Sequence, residues 1–159
     1  MATFHVSKAP IDEIEAELLV LAVPEGVGPL EGSTGLADWR LGGKLSALLR
    51  GRKCSGAQGD RTLLLNAPKL ASASAVVSGV GSLKGVGANE AADRLICALV
   101  DARKAGAAKV AVAADYFVGE GRPFASTNAL SRVLGERSHE QSKMLPSDVT
   151  LTVLDLDLF

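Results

Sequence analysis

AVVSGVGSLKGVGANEAADRLICALVDARKAG, residues 75–106, is the stretch on which the fold turns. Ala75 to Val80 is mostly apolar and β-branched, the composition of a buried strand. Gly79, Gly81, Gly85 and Gly87 then make a loop, and Asn89 is placed to cap a long helix with Ala92, Leu95, Ile96 and Leu99 on one face. Glu90 and Asp93 fall in its first turn, where carboxylates suit the helix dipole, and Gly106 supplies the stop. A further apolar run, Lys109 to Ala114, follows at once, so strand, helix and strand predict a right-handed parallel crossover in an α/β sheet.

Working upstream, Leu18 to Val23 is continuously apolar and stopped by Pro24, the pattern of a central strand covered on both faces. Glu25 to Gly35, glycine-rich with Pro29, is a loop off its carboxyl end. Ser33 or Thr34 is expected to cap a helix over Leu36 to Leu49, whose stripe is Leu41, Leu45, Leu48 and Leu49. Gly42-Gly43 weakens that helix by about 1 kcal/mol per glycine relative to Ala and predicts close packing or an early bend there. Thr62 to Leu65 reads as a strand ended by Asn66 and Pro68, too close to Ala75 for an intervening helix, so the two pair as an antiparallel hairpin. Thr3 to Val6 is a short first strand, and Ile11 with Ile14 a helical turn or tight connection.

Downstream, Asp115 to Ala125 is a loop containing Gly119, Gly121 and Pro123. Ser126 or Thr127 caps a third helix with Leu130, Val133 and Leu134 inward, and Glu136 to Lys143 is polar on all sides, either an exposed helical extension or a loop. Val149 to Leu154 alternates and is expected at a sheet edge. The prediction is a single three-layer α/β domain over residues 1–159, with a mixed, mostly parallel sheet flanked by helices.

A chain of 159 residues buries roughly 70% of the surface exposed when unfolded, enough for a core without staples. With one Trp, one Tyr and four Phe, that core rests on Ala, Val and Leu. The net charge of −1, from scattered residues, gives none of the long-range field that non-specific nucleic-acid binders use. Cys54 and Cys97 form no CxxC pattern and suit a reducing compartment; Cys97 is expected on the apolar face of its helix, and Cys54 beside the basic Arg50-Gly51-Arg52-Lys53 cluster near the surface. The longest apolar run, Leu18 to Val23, is far short of the ~18 residues needed to span a bilayer, and no leader pattern is visible, so a soluble, cytoplasmic protein is expected.

For chemistry, the glycine loop after Val80 brings backbone N–H groups, a helix start and Lys84 together, so Gly79, Gly81, Ser82, Lys84 and Gly85 are candidates for a phosphate. The spacing matches neither GxxxxGK[ST] nor GxGxxG, so the phosphate signal is weak and a plain strand-to-helix turn is the favoured account. Loops at Glu25-Gly26 and at Gly119 and Gly121 follow two other predicted parallel strands, and such loops converge on one crevice. His139-Glu140 begins like HExxH, but Lys143 stands where the second imidazole belongs. His5 has no Cys or carboxylate neighbour in sequence and is expected half-buried on its strand. No catalytic residue, metal ligand or cofactor is therefore assigned.

With these elements placed, several short stretches resemble one family: Glu17 to Val23 with Pro24-Glu25-Gly26, Leu41-Gly42-Gly43 with Leu45 to Leu49, Gly59-Asp60-Arg61-Thr62, Val76 to Gly81 and Ala105 to Val110. Together they resemble the N-terminal, non-catalytic domain of leucyl (cytosolic) aminopeptidases over roughly the first 115 residues. The resemblance implies a macro-like α/β fold and a module for oligomer or protein–protein contacts, without the peptidase domain's Asn-Thr-Asp-Ala-Glu-Gly-Arg run. In some bacterial members that domain also contacts DNA, which the near-neutral charge here disfavours. The macro-like fold also implies an alternative, a binder of ADP-ribose or another nucleotide, although Ala22-Val23-Pro24 replaces the Asn-rich turn of such binders and no GGGG-type run occurs.

Overall fold

The computed structural model describes residues 2–26, 29–65, 70–72 and 74–154. Six strands form one sheet in the order β1, β6, β5, β2, β4, β3: β1 (Thr3–Ser7), β2 (Leu18–Pro24), β3 (Arg61–Leu65), β4 (Ser74–Gly81), β5 (Lys109–Ala113) and β6 (Asp148–Thr152). All neighbours are parallel except β3 and β4, which form the expected antiparallel pair with Leu63 opposite Val76. The stop signal at Asn66 and Pro68 lies outside the described residues.

Strand β2 is buried throughout from Leu18 to Val23, and its alternation divides the core. Leu18, Val20 and Ala22 face helices α3 (Ala88–Lys104) and α4 (Thr127–Arg137), with Leu95, Leu99, Leu130 and Leu134. Leu19, Leu21 and Val23 face α1 (Gly32–Arg40) and α2 (Lys44–Arg50), with Ala37 and Leu45. The mixed, mostly parallel three-layer α/β architecture is thus as expected. The β4–α3–β5 connection steps over β2, which lies between the two strands it joins.

Several expectations are corrected in detail. The helix foreseen over Leu36 to Leu49 is two helices, because Gly42 and Gly43 adopt φ of +70° and +80°, a left-handed turn that an α-helix cannot contain. Gly43 has no side chain to cap α2. Asp38 of α1 does so instead, its carboxylate accepting the Ser46 N–H at 3.0 Å and the Ser46 hydroxyl as well. The N-cap of α1 is Glu31, not Ser33 or Thr34, which lie buried in the first turn; α3 starts after Gly87, not Asn89. Ser126 caps α4 as expected, its Oγ accepting the Ala129 N–H at 3.1 Å.

Strand β6 is interior, and β1 forms the edge beyond it, with β3 at the opposite edge. Val149 and Leu151 are buried, but Thr152 is fully buried as well, its hydroxyl donating to the Ala9 carbonyl at 2.8 Å, so the alternation of residue types does not mark an open face or an edge. The two cysteines are reversed: Cys97 is exposed on α3, while Cys54 is buried against Val23 and Leu45. Burial pushes the Cys54 thiol pKa up, and the Asp60 carboxylate adds to the rise. His5 is exposed and does meet a carboxylate, Asp148 on the adjacent strand, at 3.2 Å. The polar segment after α4 is a 3₁₀ turn, His139–Met144. Among the described residues no helix is long and apolar enough to cross a membrane.

Candidate functional site

The carboxyl ends of β5, β2 and β4 lie side by side, and the loops that leave them meet in a cleft of about 350 Å³. Of the residues singled out from sequence, Glu25, Ser82, Lys84 and Gly121 line it. Gly85 lies in the same loop as Lys84, in a left-handed turn at φ +73°. Gly26 borders a neighbouring groove, and Gly119 shapes the third loop by donating its N–H to the Phe124 carbonyl at 2.9 Å.

Gly79 and Gly81 serve a different end. The Gly79 N–H donates to the Asp60 carbonyl and the Gly81 N–H to the Gly56 carbonyl, both at 2.8 Å. A Cβ on Gly79 would lie 2.1 Å from the Ala57 carbonyl oxygen. These two glycines let the 56–60 segment close on β4, and their amides are committed there. Donors for a ligand fall to the loop beyond Gly81.

Residues outside the sequence candidates complete the walls. Tyr116, Arg122 and Pro123 come from the loop after β5, and Leu83 from the loop after β4. The Tyr116 hydroxyl accepts the Glu31 N–H at 2.9 Å, tying the third loop to the first. Burial raises the Tyr116 pKa most, the Glu31 N–H opposes the rise, and the phenol stays protonated across neutral pH. Arg122 lies 5.6 Å over the Tyr116 ring, reaches Glu31 at 2.9 Å and donates to the Asp115 carbonyl. The second loop is pinned from α3: Arg94 donates to the carbonyls of Val80 and Ser82 and is held by Glu90 at 3.0 Å.

The cleft therefore has braced walls and one cation, Lys84, that meets no carboxylate among the described residues. Arg122 was visible in sequence as the base within the third glycine loop. Tyr116 and Arg94 carried no such signal, because their roles depend on which loop each one reaches. Neither histidine lines the cleft.

No protein-family model matches the sequence, and no curated protein matches it. Among solved structures, tomato leucine aminopeptidase superposes with a TM-score of 0.61 at 18% identity, over 98% of this chain and 33% of the tomato chain. The macrodomain of Mycobacterium tuberculosis DarG gives 0.61 at 13% identity, over 98% of this chain and all of that one. The macrodomain of Thermus aquaticus DarG gives 0.58 at 11% identity, over 96% and 99%. The chain thus spans a third of the tomato enzyme and the whole length of the first macrodomain. At these identities the likeness is one of fold, and the fold is macro-like, resembling that expected for the aminopeptidase N-terminal domain.

Proposed function

We propose that this chain is a non-catalytic binder of a phosphorylated, nucleotide-type small molecule, with ADP-ribose the first candidate, held in the three-loop cleft. The observation that carries the reading is the convergence of loops from β5, β2 and β4 on one cleft around Lys84, which meets no carboxylate within ion-pair distance among the described residues. Ligands of open α/β sheets bind beyond the carboxyl ends of the strands, and clefts of roughly 300–1,000 Å³ accept them. Lys84 offers a charge to a phosphate, and the Tyr116 ring an apolar surface. A macro-like fold supports the choice of ADP-ribose only as analogy.

Thermal unfolding with ADP-ribose, ATP and NAD tests the reading. One of them is expected to stabilise the fold saturably, by about 2.7 kcal/mol at a hundredfold excess over its dissociation constant. Lys84→Ala should weaken that effect. No shift with any of the three rejects the reading.

A second reading rests on Trp39, which stands 69% exposed on the outer face of α1 with Arg40 stacked 5.0 Å from its ring. Exposed Trp and Arg are frequent anchors of protein interfaces, so this face suits an oligomerisation or partner contact. Light scattering with Trp39→Ser decides it: a defined oligomer that this variant dissociates supports the module, and a monomer in both removes self-association.

A further inference from the structure

A second concavity, about 860 Å³, lies on the other side of the Pro24–Glu25 turn, between α1, α2 and the chain from Arg52 to Gly56. It shares only Pro24 and Glu25 with the three-loop cleft. Val23, Leu30, Leu49 and buried Cys54 give it an apolar lining. Asp38 borders it too, but that carboxylate is occupied by the N–H and hydroxyl of Ser46.

Two guanidiniums complete the lining, Arg50 at the end of α2 and Arg52 just beyond. Among the described residues neither one meets a carboxylate within salt-bridge distance. Arg52 also has φ +57°, the one described non-glycine residue with positive φ. That conformation disfavours any residue with a Cβ and is natural for glycine, so folding alone gives no reason for arginine here. The segment is seated firmly: a Cβ on Gly56 would lie 2.2 Å from the Pro24 carbonyl oxygen.

We infer that this groove is a binding site for a small organic phosphate with a flat apolar body, its phosphate held by Arg50 and Arg52 and its body laid on Leu30 and Leu49. Planar guanidiniums pair with phosphate through two parallel hydrogen bonds, and the apolar lining favours an aromatic over a bare ion. The site stands independently of what the three-loop cleft binds.

Calorimetric titration with AMP, adenosine and inorganic phosphate, on the wild-type chain and on Arg52→Gly and Lys84→Ala, tests the inference. AMP is expected to bind saturably, with adenosine and phosphate each weaker by about tenfold or more, the usual worth of a charge-assisted pair. Arg52→Gly should lower AMP affinity by a similar factor while leaving Tm equal or higher, since glycine suits φ +57°. Arg52-dependent AMP binding that persists in Lys84→Ala assigns the ligand to this groove and not to the three-loop cleft. Absence of AMP binding, or undiminished binding by Arg52→Gly, overturns the inference. AMP binding that depends on Lys84 and not on Arg52 overturns it while supporting the three-loop cleft. Arg52-dependent AMP binding, with no Lys84-dependent response to ADP-ribose, ATP or NAD, rejects the earlier reading and keeps this one.

Discussion

Replacing Gly79 by alanine should be among the more damaging single-methyl changes this chain can suffer. The added Cβ would stand 2.1 Å from the Ala57 carbonyl oxygen and 2.9 Å from the Gly56 carbonyl carbon, below any observed contact of this kind, and both are backbone atoms that cannot rotate away. Overpacking of this sort costs about 1–3 kcal/mol. Displacing the 56–60 segment also strains the Gly79 N–H to Asp60 bond at 2.8 Å and the Gly59 N–H to Gly79 bond at 3.2 Å, each worth about 1 kcal/mol. The expected loss is thus about 2–4 kcal/mol, which in a domain of this size lowers Tm by roughly 4–16 °C.

Two other alanine variants calibrate it. Gly85, at φ +73° with nothing near its absent Cβ, should lose only the ~1–2 kcal/mol of the left-handed conformation. Gly135, within α4 with open space around it, should gain about 0.5–1 kcal/mol from helix propensity. Urea denaturation followed by circular dichroism ranks the three. If Gly79→Ala proves no less stable than Gly85→Ala, the close approach of the 56–60 segment to β4 is wrong.

Under native conditions a thiol reagent should modify Cys97 alone, with Cys54 reacting only on unfolding; two equally fast thiols by mass spectrometry would contradict the placement of Cys54. Because Cys54 and Tyr116 hold their protons more tightly folded than unfolded, the stability these two groups contribute is fully present below the thiol's ordinary 9.0 and is lost as pH climbs beyond it, through both raised values. Chemical denaturation at a series of alkaline pH values, repeated with Cys54→Ala and Tyr116→Phe, should show the fall becoming shallower in each variant. Arg94→Met leaves the Val80 and Ser82 carbonyls without their shared donor, so a loss of about 1–3 kcal/mol is expected, with faster amide exchange across residues 82–87.

The sheet's interior was legible in the sequence where burial is two-sided. Leu18 to Val23 and Ala75 to Val80 are apolar at nearly every position and buried on both faces, and their shortness and flanking Pro and Gly mark them as strands. Val149 to Leu154 misled because a threonine can be buried once its hydroxyl finds a carbonyl, as Thr152 does, and because rank in the sheet depends on pairing with β1 from the far end of the chain. The helix break was visible in Gly42-Gly43, but the cap supplied by Asp38 was not, since it depends on how α1 and α2 turn about those glycines. At the candidate site the loops announced themselves through glycine, and so did Lys84. The braces did not, because Tyr116 to Glu31 and Arg94 to Ser82 join segments whose adjacency exists only after folding.

The pairing of β1 with β6 also sets a timetable. Thr3 lies opposite Asp148, so β1 has no partner until nearly all of the described chain after it has been made. In the interval β5 presents an open parallel edge where β6 will dock. A nascent chain stalled before Asp148 would therefore display two unsatisfied ladders together, the condition in which open strand edges invite wrong pairing.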